Sequence, residues 1–436
     1  MAKIHEYNPV YSFLRPYVDS RTRLSYRKIA TIGLERIPKD DGAIIFAPNH
    51  SNALMDALNV LRSRKGATVF GARADLFKRK PIAAIMKILR IVPMVRERDG
   101  IRNVLGNLET MNTVSEVLGD GTPFCVFCEG THRTMHSLLP IKKGIFRTAW
   151  TTLDQNPGKK VYIVPVGLEY GDYFRYRSTC LMEFGEPLDF GDFVDNHDNM
   201  PQGDIYLALA KELKDRMSKL ITYIPDNEDY EAKWALVKMI CAGEKGSLED
   251  RRKENRKIAG IIEDYLEDES RSAEMRQLLT DVLGFDKKRQ DMRISSHSFS
   301  GPKIKGLLKL PFVVSLLPFW LICALLTMPV WATSWIVCSK TEDTAFHNSL
   351  RAGFRIVLSP LTFLIWVIIG AAVLPFAGWK SMLILISFAV AYSGMLNFFH
   401  DYKEFARRTI SDVRLLFNGR KLKEERERLI KRFLAI

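Results

Sequence analysis

The spacing of apolar and polar residues changes character twice along the chain. From residue 43 to about 190, short apolar runs alternate with stretches of helical period. The pattern predicts strands at Ala43–Ala47, Ala67–Ala72, Phe124–Cys128, Val161–Tyr170 and Cys180–Phe184, and helices at 53–63, 77–90, 101–118 and 144–153. Such alternation predicts an α/β layered domain with a largely parallel sheet. Ile205, Leu209, Leu213, Met217 and Leu220 then recur at helical spacing and predict one amphipathic helix that closes the domain. Residues 226–302 are dense in mixed charge, with a narrow apolar stripe at Ile258, Ile261, Ile262, Tyr265 and Leu266, and predict a charged helical appendage.

The second change comes at residue 310. No residue from 310 to 339 carries a formal charge, and as one helix this run would extend about 45 Å against a hydrocarbon core of about 30 Å. Pro318 and Pro329 predict that it is broken instead, as a re-entrant or hairpin element. The stretches 356–379 and 381–399 are each long enough to span a bilayer. The expected organisation is an interfacial N-terminal segment (1–42), an α/β domain (43–225), the charged appendage (226–302), a helical membrane domain (303–400) and a basic cytosolic tail (401–436).

Charge supports that topology. Lys303, Lys305 and Lys309 precede the uncharged run, and Lys340, Arg351 and Arg355 follow it. The tail from Lys403 holds eleven Lys/Arg against five Asp/Glu. Placing all three on the cytosolic side makes the first run enter and leave on one face and the last two spans a hairpin. The polar start, Met-Ala-Lys-Ile-His-Glu, shows no signal peptide, so the α/β domain is expected on the cytoplasmic face. A net charge of +14 invites a nucleic-acid reading, but no helix-turn-helix, zinc-finger or aromatic RNA-binding signature accompanies it. Anionic lipid headgroups and phosphorylated substrates are the expected partners. Tyr7, Tyr11, Phe13, Tyr17 and Tyr26, interleaved with Arg15, Arg21, Arg23 and Arg27, suit either a membrane interface or a helix packed by its aromatics. The six cysteines form no disulfide framework, and Cys125-Val-Phe-Cys128 lies in an apolar strand pattern that predicts small buried hydrophobes.

The chemistry concentrates where the strand Ala43–Ala47 stops at Pro48 and delivers Asn49, His50 and Asp56. A histidine at the C-terminal end of a strand stands where open α/β sheets place their chemistry. A carboxylate a few residues on can accept the Nδ1 proton and leave Nε2 free as a base. On a regular helix an i,i+6 pair is turned about 240° apart, so His50 must lie outside the helix and the turn must bulge for the two to touch. Glu129, His132 and His136 lack a further ligand at zinc spacing, so no metal is expected, and no glycine-rich nucleotide loop or Gly-x-Ser-x-Gly elbow is present, so no cofactor and no acyl-serine.

Asn49-His50 with Asp56 resembles the first motif of the glycerolipid acyltransferase superfamily, and the five residues between His50 and Asp56, where most members have four, resemble the fungal-type glycerol-3-phosphate/dihydroxyacetone-phosphate branch. Arg96 and Arg98, after the run Ile91-Val-Pro-Met-Val, are similar to the second motif, whose arginine meets the acceptor phosphate; a guanidinium fork binds phosphate oxygens bidentately. Phe127-Cys128-Glu129-Gly130-Thr131, with Arg133 after it, resembles the third motif with Cys128 in the proline position. Lys142 and Lys143 add positive charge before a helix N-terminus, and Val164-Pro165-Val166 resembles the fourth motif, associated with the acyl side. The resemblance implies an α/β acyltransferase-type domain that moves a fatty acyl group from acyl-CoA or acyl carrier protein to the sn-1 hydroxyl of glycerol-3-phosphate or dihydroxyacetone phosphate. His50 would be the base oriented by Asp56; Asn49, Arg96, Arg98, Glu129, Gly130, Thr131, Arg133, Lys142, Lys143 and Pro165 would line the substrate site. Backbone N–H groups near the helix start after His50 are expected to hold the oxyanion. Two other readings stand beside it: a lysophosphatidate sn-2 acyltransferase, and a non-catalytic lipid-binding membrane protein.

Overall fold

The computed structural model describes residues 4–94, 104–243, 246–301, 304–373 and 379–436. Chain contacts divide it into two units, Met1–Ile221 with Asp343–Ala352, and Thr222–Glu342 with Gly353–Ile436. The first unit runs α1 (Pro9–Leu24), β1 (Lys28–Ile32), β2 (Ala43–Pro48), α2 (Leu54–Ser63), β3 (Val69–Arg73), α3 (Lys80–Ile88), β4 (Ile91–Met94), α4 (Val104–Gly119), β5 (Phe124–Cys125), α5 (Gly144–Gln155), β6 (Val161–Tyr170), β7 (Thr179–Phe184), β8 (Leu188–Asp189), α6 (Phe190–Asp195) and α7 (Gln202–Ser218).

Strands covered on both faces carry apolar residues at every position, and all six residues of β2 are buried. The sheet order is β1-β7-β6-β2-β5-β3-β4, with β8 beside β6. All pairings are parallel except those of β6 with β7 and with β8. The mostly parallel α/β sheet is therefore as the pattern predicts. Pro165 sits in β6 without cost to the ladder, because β8 pairs at Tyr162 and Ile163 while β7 pairs only from Val166 onward. Phe46, Met55, Val164, Val166, Leu168, Met182 and Phe184 pack the core beside α2. Gly167 lets α7's end approach this sheet: a Cβ there would stand 2.6 Å from the Leu220 carbonyl oxygen.

The stretch 1–42, expected as an interfacial segment, gives α1 and β1 to this unit. Tyr11 and Tyr26 are buried, and Arg90 holds the N-terminal turn by donating to the carbonyls of His5 and Glu6 and lying 4.6 Å over the Tyr11 ring. Tyr7 and Phe13 remain about four-fifths exposed, at 79% and 82%.

The second unit holds α8 (Tyr230–Ile240), α9 (Leu248–Glu267), α10 (Ser272–Asp291), α11 (Lys305–Leu326), α12 (Met328–Ser339), most of α13 (His347–Val373), α14 (Trp379–Asn418) and α15 (Arg420–Ala435). The charged stretch and the basic tail are one bundle. Met275, Leu278, Leu279 and Val282 are buried with Leu429 and Phe433, and Arg432–Asp281 and Lys288–Glu425 pairs at 2.6 and 2.8 Å flank them. The uncharged run is interrupted at Thr327, not at Pro318, through which α11 continues; Pro329 lies in the first turn of α12, where its missing N–H is harmless. Trp320 and Trp331, on either side of that break, both stack on Phe399 of α14. Lys305–Leu326, Thr344–Ala372 and Met382–Asn418 are long and apolar enough to cross a membrane, and they leave side chains such as Val314 and Val390 exposed.

Candidate active site

At the C-terminal end of β2 the ladder is continued by a side chain. Asn49 accepts from the Leu168 N–H (2.6 Å) and donates to the Leu168 carbonyl (3.0 Å), as another strand residue's backbone would. Its amide is thereby bonded to the backbone of β6. The chain then leaves the sheet through His50, Ser51, Asn52 and Ala53 before α2 begins at Leu54. Ala53 has φ +46° and ψ −124°, a conformation that L-residues rarely adopt. This is the bulge that the i,i+6 spacing demands.

Asp56, in the first turn of α2, is fully buried. Its Oδ2 accepts from His50 Nδ1 (2.9 Å), the Ser51 N–H (2.9 Å) and the Asn52 N–H (2.7 Å), and its Oδ1 accepts from the Tyr170 hydroxyl (2.6 Å). Asn59 donates in turn to the hydroxyls of Tyr170 (3.1 Å) and Tyr26 (3.0 Å). Burial first, and for Tyr170 the Asp56 charge next, push both phenols well above their ordinary range, so they stay protonated donors. The N–H groups of Ser51 and Asn52 are thus occupied by Asp56.

With Nδ1 donating to Asp56, His50 Nε2 carries the lone pair and takes no hydrogen bond from the described residues. Phe127 stacks on the imidazole at 4.0 Å, and His132 meets it edge-on at 5.6 Å. The ring is fixed by one carboxylate and one aromatic face.

Glu129 follows the short strand β5. Its Oε1 accepts from the His50 N–H and its Oε2 from the Leu139 N–H, both at 2.8 Å. It fastens the 130–139 loop to the turn that carries His50. Burial raises its pKa to about 6. Gly130 has φ +73°, and a side chain there would meet the Lys142 stem at 3.4 Å. Arg133 donates its N–H to the His50 carbonyl (2.9 Å), and the Lys142 N–H donates to Cys128 (2.8 Å). Thr131 and Lys142 are exposed, and Lys143 is half-buried just before α5. Pro165 lies one layer below the mouth, opposite Ala47. Arg96 and Arg98 fall outside the described residues. Cys125 and Cys128 are buried, and burial raises both thiols.

The site has a wall that no local pattern signals. Asp343 Oδ2 pairs with His132 Nε2 (2.9 Å), and the Phe346 ring meets His132 edge-on at 4.7 Å. Asn348 donates to the Tyr173 carbonyl, Arg351 to that of Phe174 (2.8 Å), and Ser349 to that of Asn52 (3.4 Å). Tyr170 and Asn59 were likewise invisible to motif reading, since each lies several turns or strands from the groups it touches.

Residues 28–169 match the Acyltransferase family. The chain is 32% identical over 118 residues to glycerol-3-phosphate O-acyltransferase 2 of Saccharomyces cerevisiae, covering 27% of this chain and 15% of that protein. It is 33% identical over 107 residues to glycerol-3-phosphate O-acyltransferase 1 of the same yeast, covering 24% and 14%. The matched stretches are therefore a small part of those proteins' lengths. The solved structure of the 1-acyl-sn-glycerophosphate (LPA) acyltransferase PlsC from Thermotoga maritima aligns with TM-score 0.34 at 20% identity, covering 48% of this chain and 79% of that one.

Proposed function

We infer that this protein, whose residues 28–169 form an acyltransferase-family domain, is a membrane-bound glycerolipid acyltransferase that acylates the sn-1 hydroxyl of glycerol-3-phosphate. The observation that carries the reading is His50, with Nδ1 committed to Asp56 and Nε2 left available. Nε2 takes the proton of the acceptor hydroxyl as that oxygen attacks the thioester carbonyl of acyl-CoA or acyl carrier protein; the carbon–sulfur bond breaks and the thiolate leaves. Asp56 holds the tautomer and faces the imidazolium that forms. The exposed Lys142, the half-buried Lys143 and Arg133 supply cationic charge for the acceptor phosphate, with Arg96 and Arg98 completing it. Two features support glycerol-3-phosphate as acceptor: the five residues between His50 and Asp56, and the likeness to two yeast proteins named for that substrate. Dihydroxyacetone phosphate presents the same primary hydroxyl and phosphate.

Purified protein in detergent or nanodiscs, given palmitoyl-CoA with radiolabelled glycerol-3-phosphate or lysophosphatidate, tests this directly. Acylation of glycerol-3-phosphate by the wild type and its loss by at least 10³-fold in His50→Ala is the expected result, the size being that of a removed general base and its partner. Consumption of lysophosphatidate alone would move the acceptor to the sn-2 reaction. Transfer unchanged in His50→Ala would end the mechanism, and no transfer to any acceptor would leave lipid binding as the function.

A further inference from the structure

Asp343–Ala352 belongs to the catalytic unit although both its ends continue into apolar helices of the other. Its contacts reach the turn that carries His50, the loop after β6 and the His132 loop. Ser349 reaches the Asn52 carbonyl, Asn348 and Arg351 hold the Tyr173 and Phe174 carbonyls just beyond β6, and Ala352 is sealed into the core that contains Phe46. Asp343 does two things at once: Oδ1 accepts from the Ala345 N–H (2.9 Å) and starts the 3-10 turn Thr344–Phe346, while Oδ2 accepts from His132 Nε2 (2.9 Å). Phe346 braces the same imidazole, and that imidazole stands edge-on to His50.

We propose that Asp343–Ala352 is a strap that completes the active site, and that Asp343 is a positioning residue: through its hydrogen bond it fixes His132 as the wall against which His50 and the acceptor hydroxyl are aligned. The role rests on the acyltransferase reading above. A half-buried histidine on a loop has several open rotamers, and a wall that swings leaves the reacting oxygen misplaced; misplacement by about 1 Å can cost as much as 10²-fold in rate. One hydrogen bond and one ring contact remove that freedom without touching the thioester.

Two measurements test the strap. In the first, His132→Cys and Asp343→Cys are combined in a Cys241→Ser background and treated in membranes, without substrate, with a short thiol-to-thiol crosslinker. Closure of the loop between the two positions, read as a gel shift, is expected; no crosslink overturns the strap whether or not acyl transfer is ever observed. In the second, Asp343→Ala and His132→Ala are each expected to lower kcat about tenfold with KM for acyl-CoA unchanged, and the double variant to be no worse than either single one. Asp343→Asn, whose amide oxygen still accepts from the Ala345 N–H while its NH2 can donate to His132 Nε2 in the other tautomer, should restore most of the rate. Additive losses, or an Asp343→Asn as impaired as Asp343→Ala, overturn the positioning role. If the wild type transfers no acyl group, the functional reading fails while the crosslink still decides the placement.

Discussion

Asp56 is a fully buried carboxylate held by hydrogen bonds from a histidine, two backbone N–H groups and a phenol. An ionised group out of water is tolerated only when its lone pairs are taken up, and here all four contacts come from parts of the chain that also define the site. Glu129 shows the same economy with the opposite balance. Two backbone donors favour its charged form, yet burial outweighs them and lifts its pKa to about 6 from an ordinary value near 4.5. The folded protein therefore binds this proton more tightly than the unfolded chain does. The stability linked to it is fully present below about pH 4.5 and is lost as pH rises through about 6. Glu129→Gln should abolish this slope: thermal melts from pH 4.5 to 7 should show the wild type losing more stability with rising pH than the variant, and parallel curves would refute it.

At the scale of elements, the unit that matters is β2, the turn and α2. Asn49 prolongs the strand by one side-chain rung, and Ala53 then reverses the chain at φ +46° so that Asp56 on the helix can look back at His50. Backbone strain of this kind costs about 1–3 kcal/mol, and glycine, free of the Cβ clash, loses about 0.5–1 kcal/mol of that gain to its extra unfolded entropy. Ala53→Gly is expected to stabilise the protein by about 1 kcal/mol and leave kcat within about twofold. Denaturant midpoints and steady-state rates check this; a destabilised Ala53→Gly would mean that the turn is not strained.

Across the whole molecule, connectivity constrains how the chain meets a bilayer. Asp343–Ala352 folds with residues of the first unit, and α11 and α12 precede it in the chain. α15 packs with α10, which precedes every apolar helix in the chain. We propose, from the charge pattern, a re-entrant α11–α12 pair and an α13–α14 hairpin, which would leave the domain, the strap and the basic tail all cytoplasmic. Single cysteines placed at Lys340 and Lys421 are expected to react with a membrane-impermeant maleimide only after the cell membrane is opened. Labelling of either in intact cells would refute the topology.

What the sequence determined by itself was whatever is written locally. Strand and helix alternation, the apolar runs, and a histidine, a carboxylate and a glycine at fixed offsets are all properties of neighbours in the chain, and they were enough to place β2, α2, β6 and the His50–Asp56 pair. β1 escaped because Lys-Ile-Ala-Thr-Ile is short and only half-buried, and it is a strand chiefly because β7 is there to pair with it. The direction in which a polar side chain is satisfied also had to wait for the fold. Asn49 and Glu129 look like substrate ligands in a motif, but burial obliges them to find partners, and the nearest were the backbone of β6 and of the catalytic turn. Tyr170, Asn59 and Asp343 were beyond reach for the same reason: Asp343 and His132 lie 211 residues apart, and only tertiary packing, which brings distant carbonyls and rings to one turn, makes them neighbours.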